Sequence, residues 1–331
     1  MFNIYDYYLK GESCTIQSSD IFSAVSILHD SRIVIADYAS TIKILKLQTS
    51  TGKYECVFTY IFTTSTLCYC IACFSVNDTN FRMICGTSDY TLKLWNLQKS
   101  SSSENISSIK TLEDNSFLNG HTGLVLCVSV LPDGRIISGS TDTTLKIWNT
   151  NTGMCDVTLI GHSAWIRCVA IFPNNQSQLI HNNLIRLVSG SDDNTLKIWN
   201  VTNDNNNNCV IKDCDLTLIG HNNTVWCVAI LQDYCKIVSA SGYTLKIWNA
   251  LTGQCLLTLI GHTDIVSCVS ILPNGQIVSG SHDKTIKIWN PLDGTCESTF
   301  NGHTQVIKTL YVFPDGRLVS AGADKTIRIW S

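Results

Sequence analysis

One strand is written into this chain six times: TLKLWN ending at Asn96, TLKIWN at Asn149, Asn200 and Asn249, TIKIWN at Asn290, and TIRIWS at Ser331. A weaker seventh copy, TIKILK, runs from Thr41 to Lys46. Self-similarity with a period of roughly 40–45 residues marks architectures in which each unit buries its apolar face only against its neighbours. The tryptophans stand at 95, 148, 199, 248, 289 and 330, with Leu45 in the first copy's place. The gaps are therefore 50, 53, 51, 49, 41 and 41 residues, a 41-residue unit with insertions in its earlier copies.

A second signal precedes the late strands. Gly120-His121, Gly161-His162, Gly220-His221, Gly261-His262 and Gly302-His303 each open a stretch such as GHTGLVLCVSVLPDGRIISGSTDTTLKIWN. Glycine–histidine, a Pro-Asp/Asn-Gly turn, a Ser-Gly-Ser strand, an aspartate and a tryptophan, in that order, resemble the WD40 repeat family over nearly the whole chain. Five copies are strong and the first two are degraded. Asparagine follows the tryptophan where the family's name has aspartate.

Each unit reads as four short antiparallel strands. In the third copy these are 123–130, 135–140, 143–149 and 154–159, with Pro132-Asp133-Gly134 turning the first hairpin. Seven such units without a helical period predict an all-β, seven-bladed WD40 β-propeller folded as one domain. Its blades fall near 11–60, 61–118, 119–160, 161–219, 220–260, 261–301 and 302–331. The last copy ends after its third strand, so an N-terminal strand, Phe2–Lys10, is expected to complete it, as the resemblance implies. Such closure removes the exposed sheet edges that invite aggregation.

The resemblance also implies a hydrogen-bonded His–Ser–Asp–Trp tetrad in each regular blade. The matching residues are His121, Ser138, Asp142 and Trp148; His162, Ser189, Asp193 and Trp199; His262, Ser279, Asp283 and Trp289; and His303, Ser320, Asp324 and Trp330. The serine two places on (Ser140 and its equivalents) lies on the same strand face and competes for the role. A buried indole, imidazole and carboxylate all require partners, which such a set supplies together. The same residue types build hydrolase triads, but a triad is defined by geometry, and these residues are copied with every blade. No G-x-S-x-G, phosphate-loop or H-E-x-x-H pattern is present, so no enzyme, catalytic residue or cofactor is expected. Departures are informative. Blade five keeps His221 and Trp248, but its SASGYTLKIW is one residue short and lacks the aspartate. Blade two keeps Asp89 and Trp95 with Thr64 in the histidine's place; blade one has Ser18 and Leu45 for histidine and tryptophan.

Composition narrows the partners. A net charge of −3 without a dense Lys/Arg block argues against nucleic acid. Among sixteen cysteines, Cys70, Cys127, Cys168, Cys227 and Cys268 share one inner-strand position, and Cys155, Cys255 and Cys296 another. Repetition at equivalent strand positions reads as small buried hydrophobes rather than disulfides, and places the chain in a reducing compartment, the cytoplasm, with the nucleus as the alternative. Cys70 and Cys73, three apart on a strand, point to opposite faces and make no metal site. Residues 56–77 carry no charge and are long enough to span a bilayer. Their threonine-rich centre and the repeat register split them into two strands instead, so no membrane is expected. The opening MFNIYDYYLKGES lacks a basic start and apolar core, so no signal peptide is read.

Propellers of the family it resembles bind peptides on their top face, around the central channel, where the residue before the inner-strand cysteine points. Here those places hold Ser23, Tyr69, Leu126, Arg167, Trp226, Ser267 and Lys308, which vary while their neighbours repeat. Trp226, Arg167 and Tyr69, with nearby Trp165, are of the types enriched in binding hot spots. With Leu126 and Lys308 they form the candidate partner site. The reading is a non-catalytic scaffold or adaptor, a monomeric subunit of a larger complex that binds a protein or peptide. Two alternatives stand beside it. One is a ubiquitin-binding or ubiquitin-ligase-associated propeller, although the arginine that recruits some WD40 proteins to cullin-type ligases is missing. The other is a phosphoinositide binder, for which Asn80-Phe81-Arg82-Met83 lacks the second arginine. The insertions Gln98–Ser108, Asn174–Asn183 and Thr202–Asp213 read as solvated loops on the opposite, bottom face.

Overall fold

Alternation builds the strands. In Ile286–Trp289, Ile286, Ile288 and Trp289 are buried while Lys287 turns outward. Its ammonium donates to Thr299 Oγ1 of the neighbouring outer strand at 2.9 Å. The same lysine–threonine rung recurs at Lys146–Thr158, Lys197–Thr217 and Lys246–Thr258, at 2.8, 2.8 and 2.9 Å. One face of each sheet is thereby committed to its neighbour, and the lysine stem covers the other.

A computed structural model describes residues 12–17, 20–28, 32–50, 53–63, 66–75, 80–99, 104–112, 120–173, 184–203, 209–231 and 235–331. Their strands form seven four-stranded antiparallel sheets. Blade one runs from Phe22–Ile27 to Lys53–Thr63, and blade two from Cys68–Ser75 to Glu104–Leu112. Blades three to six each run inward to outward from Val125–Val130, Ile166–Ile171, Val225–Ile230 and Val266–Ile271. Blade seven comprises Ile307–Val312, Leu318–Gly322 and Thr326–Trp330, with Glu12–Gln17 as its outer strand. Innermost strands touch in sequence around the circle, and that of blade one meets that of blade seven. The result is a closed, all-β, seven-bladed propeller.

The closing strand corrects one expectation. Glu12–Gln17, not Phe2–Lys10, pairs with Thr326–Trp330, Gln17 opposite Thr326 and Glu12 opposite Trp330. Residues 2–10 lie outside the described residues. The insertions differ from expectation too. The hairpin of blade two continues through Leu92–Lys99 and Glu104–Leu112, and that of blade four through Leu196–Asn203 and Cys209–Leu218. Ladder hydrogen bonds are made by the backbone, so a polar insertion on both arms of a hairpin lengthens it. Asn174–Asn183 lies outside the described residues. Residues 56–77 divide between Lys53–Thr63 and Cys68–Ser75, and no described helix is long and apolar enough to cross a membrane.

The repeated cysteines pack where blades meet. A Cβ built on Gly139 would lie 2.6 Å from Cys127 Sγ and 2.7 Å from Ile166 of blade four. Gly86, Gly190 and Gly280 meet Cys70, Cys168 and Cys268 in the same way, at 2.6 to 2.8 Å. Glycine and cysteine together therefore let each second strand approach the next blade's first. Burial pushes the thiols of Cys70 and Cys268 up to about 12. Cys73, also pushed to about 12 by burial, hydrogen-bonds Ser26, whereas Cys70 Sγ faces the Val125 carbonyl at 3.7 Å. Among the described residues no group of three or more His, Cys, Asp or Glu is placed to hold a metal ion. One pair overturns the all-thiol expectation: Cys68 and Cys85 are joined as a disulfide across the first two strands of blade two. Cys85 stands where blade three has Ser138, and Cys68 where it has Val125, so repeat position alone does not show that these two meet.

Candidate functional site

The turns after each second strand and the histidine loops share one face, the top; the Pro-Asp/Asn-Gly turns lie on the other. In blade three, Trp148 Nε1–H donates to Ser138 Oγ at 2.8 Å, and Ser138 pairs with His121 Nε2 at 2.7 Å. His121 Nδ1 pairs with Asp142 Oδ2 at 2.8 Å. An indole N–H can only donate and a carboxylate only accept, which assigns the histidine proton to Nδ1 and the serine proton to the Ser–His bond. Blades four, six and seven repeat this relay through Ser189, Ser279 and Ser320. Ser140, two places on, accepts the Asp142 amide instead at 3.1 Å. Asp142 also accepts Thr122 N–H, Thr144 N–H and the Thr144 hydroxyl at 3.0, 2.9 and 2.7 Å. Burial raises the pKa of these carboxylates, but their donors win. Asp142 and Asp193 sit well below the usual range, and Asp283 is lowered to about 2. Burial lowers His121 and His262 and keeps them neutral near pH 7. The geometry is that of saturated structural clasps: every donor and acceptor is engaged within its own blade, with the histidine ring wholly buried.

The irregular blades improvise. In blade five, Ser239 joins Trp248 at 2.8 Å and His221 at 2.6 Å, and no described carboxylate reaches His221. Burial and Lys246 lower that histidine to about 4. Blade two binds Asp89 to Thr87, Thr91 and Lys93; Thr64 lies outside the described residues, as does Ser18 of blade one. Blade one carries an aspartate that sequence reasoning missed. Asp37, two residues earlier than the family position, accepts Ala39 N–H and Thr41 N–H at 3.1 and 3.0 Å and pairs with Lys43 at 3.0 Å. Its offset hid it.

Of the candidate rim residues, the structure brings three together. Arg167 lies between two indoles, its guanidinium carbon 4.9 Å from the Trp165 ring centre and 4.8 Å from that of Trp226 on the next blade. Asp192 holds it with two parallel bonds, Arg167 Nε to Oδ1 at 2.7 Å and Nη2 to Oδ2 at 2.8 Å. Asp192 was not foreseen. Its signal is that this place, just before the tetrad aspartate, holds Thr141, His282 and Ala323 in other blades. Among the described residues, Tyr69, Leu126 and Lys308 share no hydrogen bond, ion pair or ring contact with this cluster. Tyr69 lies near Tyr38 of blade one, and Lys308 near His282. Ser267 is tied to the backbone carbonyls of Ile307 and Gly280 at 2.6 and 3.1 Å, and Ser23 Oγ is buried. A cleft of about 330 Å³ adjoins Trp226, lined also by Asn223, Thr224, Gly242, Tyr243 and Ile265. At the opposite, bottom mouth of the channel lies a wider apolar opening of about 570 Å³, with Leu28, Phe74, Leu131, Tyr311 and Phe313 among its walls. Arg82, from the motif considered for phosphoinositides, is engaged by Asn96 and by Thr150 of blade three, both at 3.1 Å.

Comparison with known proteins agrees with this geometry. Residues 54–96, 110–149, 153–200, 212–249, 253–290 and 294–331 match the WD40 family, described as WD domain, G-beta repeat. Nuclear distribution protein PAC1-2 of Uncinocarpus reesii is 34% identical over 122 residues, 34% of this chain and 23% of that protein. Nuclear distribution protein PAC1 of Arthroderma benhamiae is 32% identical over 153 residues, 44% of this chain and 28% of that protein. WD repeat-containing protein pop1 of Schizosaccharomyces pombe is 31% identical over 168 residues, 41% of this chain and 21% of that protein. The matched region thus spans about a quarter of these relatives' length. Among solved structures, the WD40 β-propeller domain of Doa1 superposes with a TM-score of 0.75 at 23% identity, covering 97% of this chain and 96% of that one. With seven closed blades, four complete His–Ser–Asp–Trp clasps and six matched repeats, the chain belongs to the WD40, G-beta-repeat family.

Proposed function

We propose that this propeller is a non-catalytic interaction scaffold, a subunit or adaptor that holds a protein or peptide segment on its top rim at Trp165, Arg167 and Trp226. One observation carries the reading. Arg167 is held between two indoles by a bidentate carboxylate, yet keeps 21% of its side chain in solvent, and Trp165 keeps 46% exposed. Tryptophan and arginine dominate binding hot spots, and a surface whose side chains are already immobilised loses little entropy on docking. The repeated histidines, serines and aspartates are buried and mutually satisfied, which suits support of the blades rather than chemistry. The WD40 relatives, including nuclear distribution proteins, are consistent with scaffolding.

Capture of partners from a native lysate tests this, using the wild-type chain beside Arg167→Glu alone and with Trp226→Ala, each checked by thermal unfolding. Partners kept by the wild type and lost from folded variants support the rim; equal recovery from all three refutes it.

A further inference from the structure

In blades three, four, six and seven the top turn between second and third strands has three residues: 141–143, 192–194, 282–284 and 323–325. Blade five has two, Gly242-Tyr243, between Ser241 and Thr244. The deletion removes the tetrad aspartate, and Gly242, directly after Ser241, leaves the adjoining rim place without a side chain. Elsewhere that place carries one, and its amide bonds the start of its own inner strand, as Asp192 N–H does to Trp165 O at 2.9 Å and His282 N–H to Ile265 O at 2.7 Å. Gly242, at φ +52°, instead turns its carbonyl to Val266 N–H of blade six at 2.8 Å. Its Cβ would lie 3.0 Å from Asn223 Nδ2, a close approach to the end of that side chain, and glycine holds the left-handed φ without strain. Beside this shortened turn lies the cleft at Trp226, with Gly242 in its lining. Tyr243, 57% exposed, forms a wall. Trp226 and Ile265 give its lining apolar surface, and Asn223 and Thr224 polar surface.

The rim beyond the cleft is cationic. Lys284 occupies the left-handed position of blade six's turn, at φ 72°, and is exposed. Lys308 holds the rim place of blade seven, close enough to His282 to repel its charge. Among the described residues neither lysine has an ion-pair partner. Of the acidic groups on this arc, Asp283 and Asp324 pair with His262 and His303, while Asp264 accepts the Ile265 amide at 2.7 Å and its charge acts on His282 beside that of Lys308.

We infer that the blade-five cleft seats one large apolar side chain of an acidic peptide segment whose carboxylates run onto Lys284 and Lys308. This rests on the top-rim reading and goes beyond it by naming the occupant. A volume near the lower bound of ligand pockets, roughly 300 Å³, fits a single anchoring side chain. Aromatic walls favour an apolar anchor, and unpaired cations select acidic neighbours and quicken their encounter.

A random-peptide phage library selected on the full chain supplies the probe. Expected binders carry one large aliphatic or aromatic residue beside two or more aspartates or glutamates. A synthetic copy, followed by fluorescence polarisation, weakens about tenfold or more on Tyr243→Ala and on Lys308→Glu. Inserting an aspartate after Gly242, to restore the three-residue turn, removes binding while raising thermal stability. Lysine in place of the peptide's acids recovers affinity for Lys308→Glu. Binders without acids, failure to select any, or affinity unmoved by Tyr243→Ala and Lys308→Glu overturns the inference. Sensitivity to Arg167→Glu alone overturns the cleft and leaves the rim standing; indifference to all three removes both.

Discussion

Removing one hydroxyl from a clasp separates the tetrad's role from that of its neighbours. Ser279 Oγ is fully buried, accepts Trp289 Nε1–H at 2.8 Å and pairs with His262 Nε2 at 2.8 Å. Ser279→Ala leaves an indole N–H and an imidazole nitrogen without partners. Each buried orphan costs about 1–3 kcal/mol, so the loss of two partners is about 2–6 kcal/mol. Ser281, two places on, accepts the Asp283 amide and donates to the Asp264 carbonyl, both at 3.0 Å. Those partners sit on half-exposed turns where water can replace the hydroxyl, and Ser281→Ala costs about 1 kcal/mol. At roughly 2.1 cal/mol/K per residue, the unfolding entropy of 331 residues is about 0.7 kcal/mol/K. Calorimetry should therefore show the melting temperature falling by roughly 3–9 °C for Ser279→Ala and by roughly 1–2 °C for Ser281→Ala. Exchange of the Trp289 indole proton, followed by NMR, should accelerate only in the first. Equal temperature shifts, or an unchanged indole exchange rate, would refute the claim that the Ser–His–Trp relay holds the blade.

Two further tests address packing and pH. Gly190→Ala drives a methyl within 2.7 Å of Cys168 Sγ and 2.6 Å of Val225 on the next blade; it should cost about 1–3 kcal/mol in a thermal melt. Cys168→Ala should restore only part of that loss, because Val225 remains, and full rescue would show that the blade interface is not the constraint. His221 titrates near 4 against an ordinary 6.5. A depressed folded value means its stabilisation is complete above pH 6.5 and is lost as pH falls through 4, on the order of 3 kcal/mol. Denaturant midpoints between pH 7 and pH 4 should fall less steeply in His221→Gln than in wild type; parallel slopes would disprove the assignment. Below that window Asp283, held at about 2 against 3.8, adds its own loss as pH drops from about 4 toward 2.

The architecture was legible because it is periodic: tryptophan, glycine–histidine and Ser-Gly-Ser spacings each recur, and every copy corroborates the others. The register also allowed the serine nearer the strand centre, Ser138, to be named, although only coordinates separate it from Ser140. What escaped is aperiodic. Nothing local fixes which N-terminal segment meets Thr326–Trp330, since no turn joins them. Asp37 ties its own turn to Thr41 from a position two residues early, and the Cys68–Cys85 bond crosses two repeat positions. On the rim, variability pointed to Arg167, Trp165 and Trp226. Their meeting around Asp192, and the separation of Tyr69, Leu126 and Lys308 from them, depend on the angle between blades. The missing residue in SASGYTLKIW was visible, but a deletion does not declare the space it opens.

The seam in blade seven also imposes a timetable on synthesis. Gln17 and its partner Thr326 are separated by 309 residues. At about 5–20 residues per second, roughly 15–60 s pass between making one and the other. Throughout that interval the first strand has no partner, and blade one lacks the neighbour that will cover Phe22, Ile33 and Ile35 together with Phe313 and Ile327. Six blades can stack on the ribosome, each on the last, while the growing arc keeps an open apolar flank. Closing it is a long-range pairing of the kind that slows folding, and it waits until Thr326–Trp330 has been made. A chain interrupted just short of Thr326 would lose not one strand but the annulus itself, leaving a horseshoe with two adhesive ends.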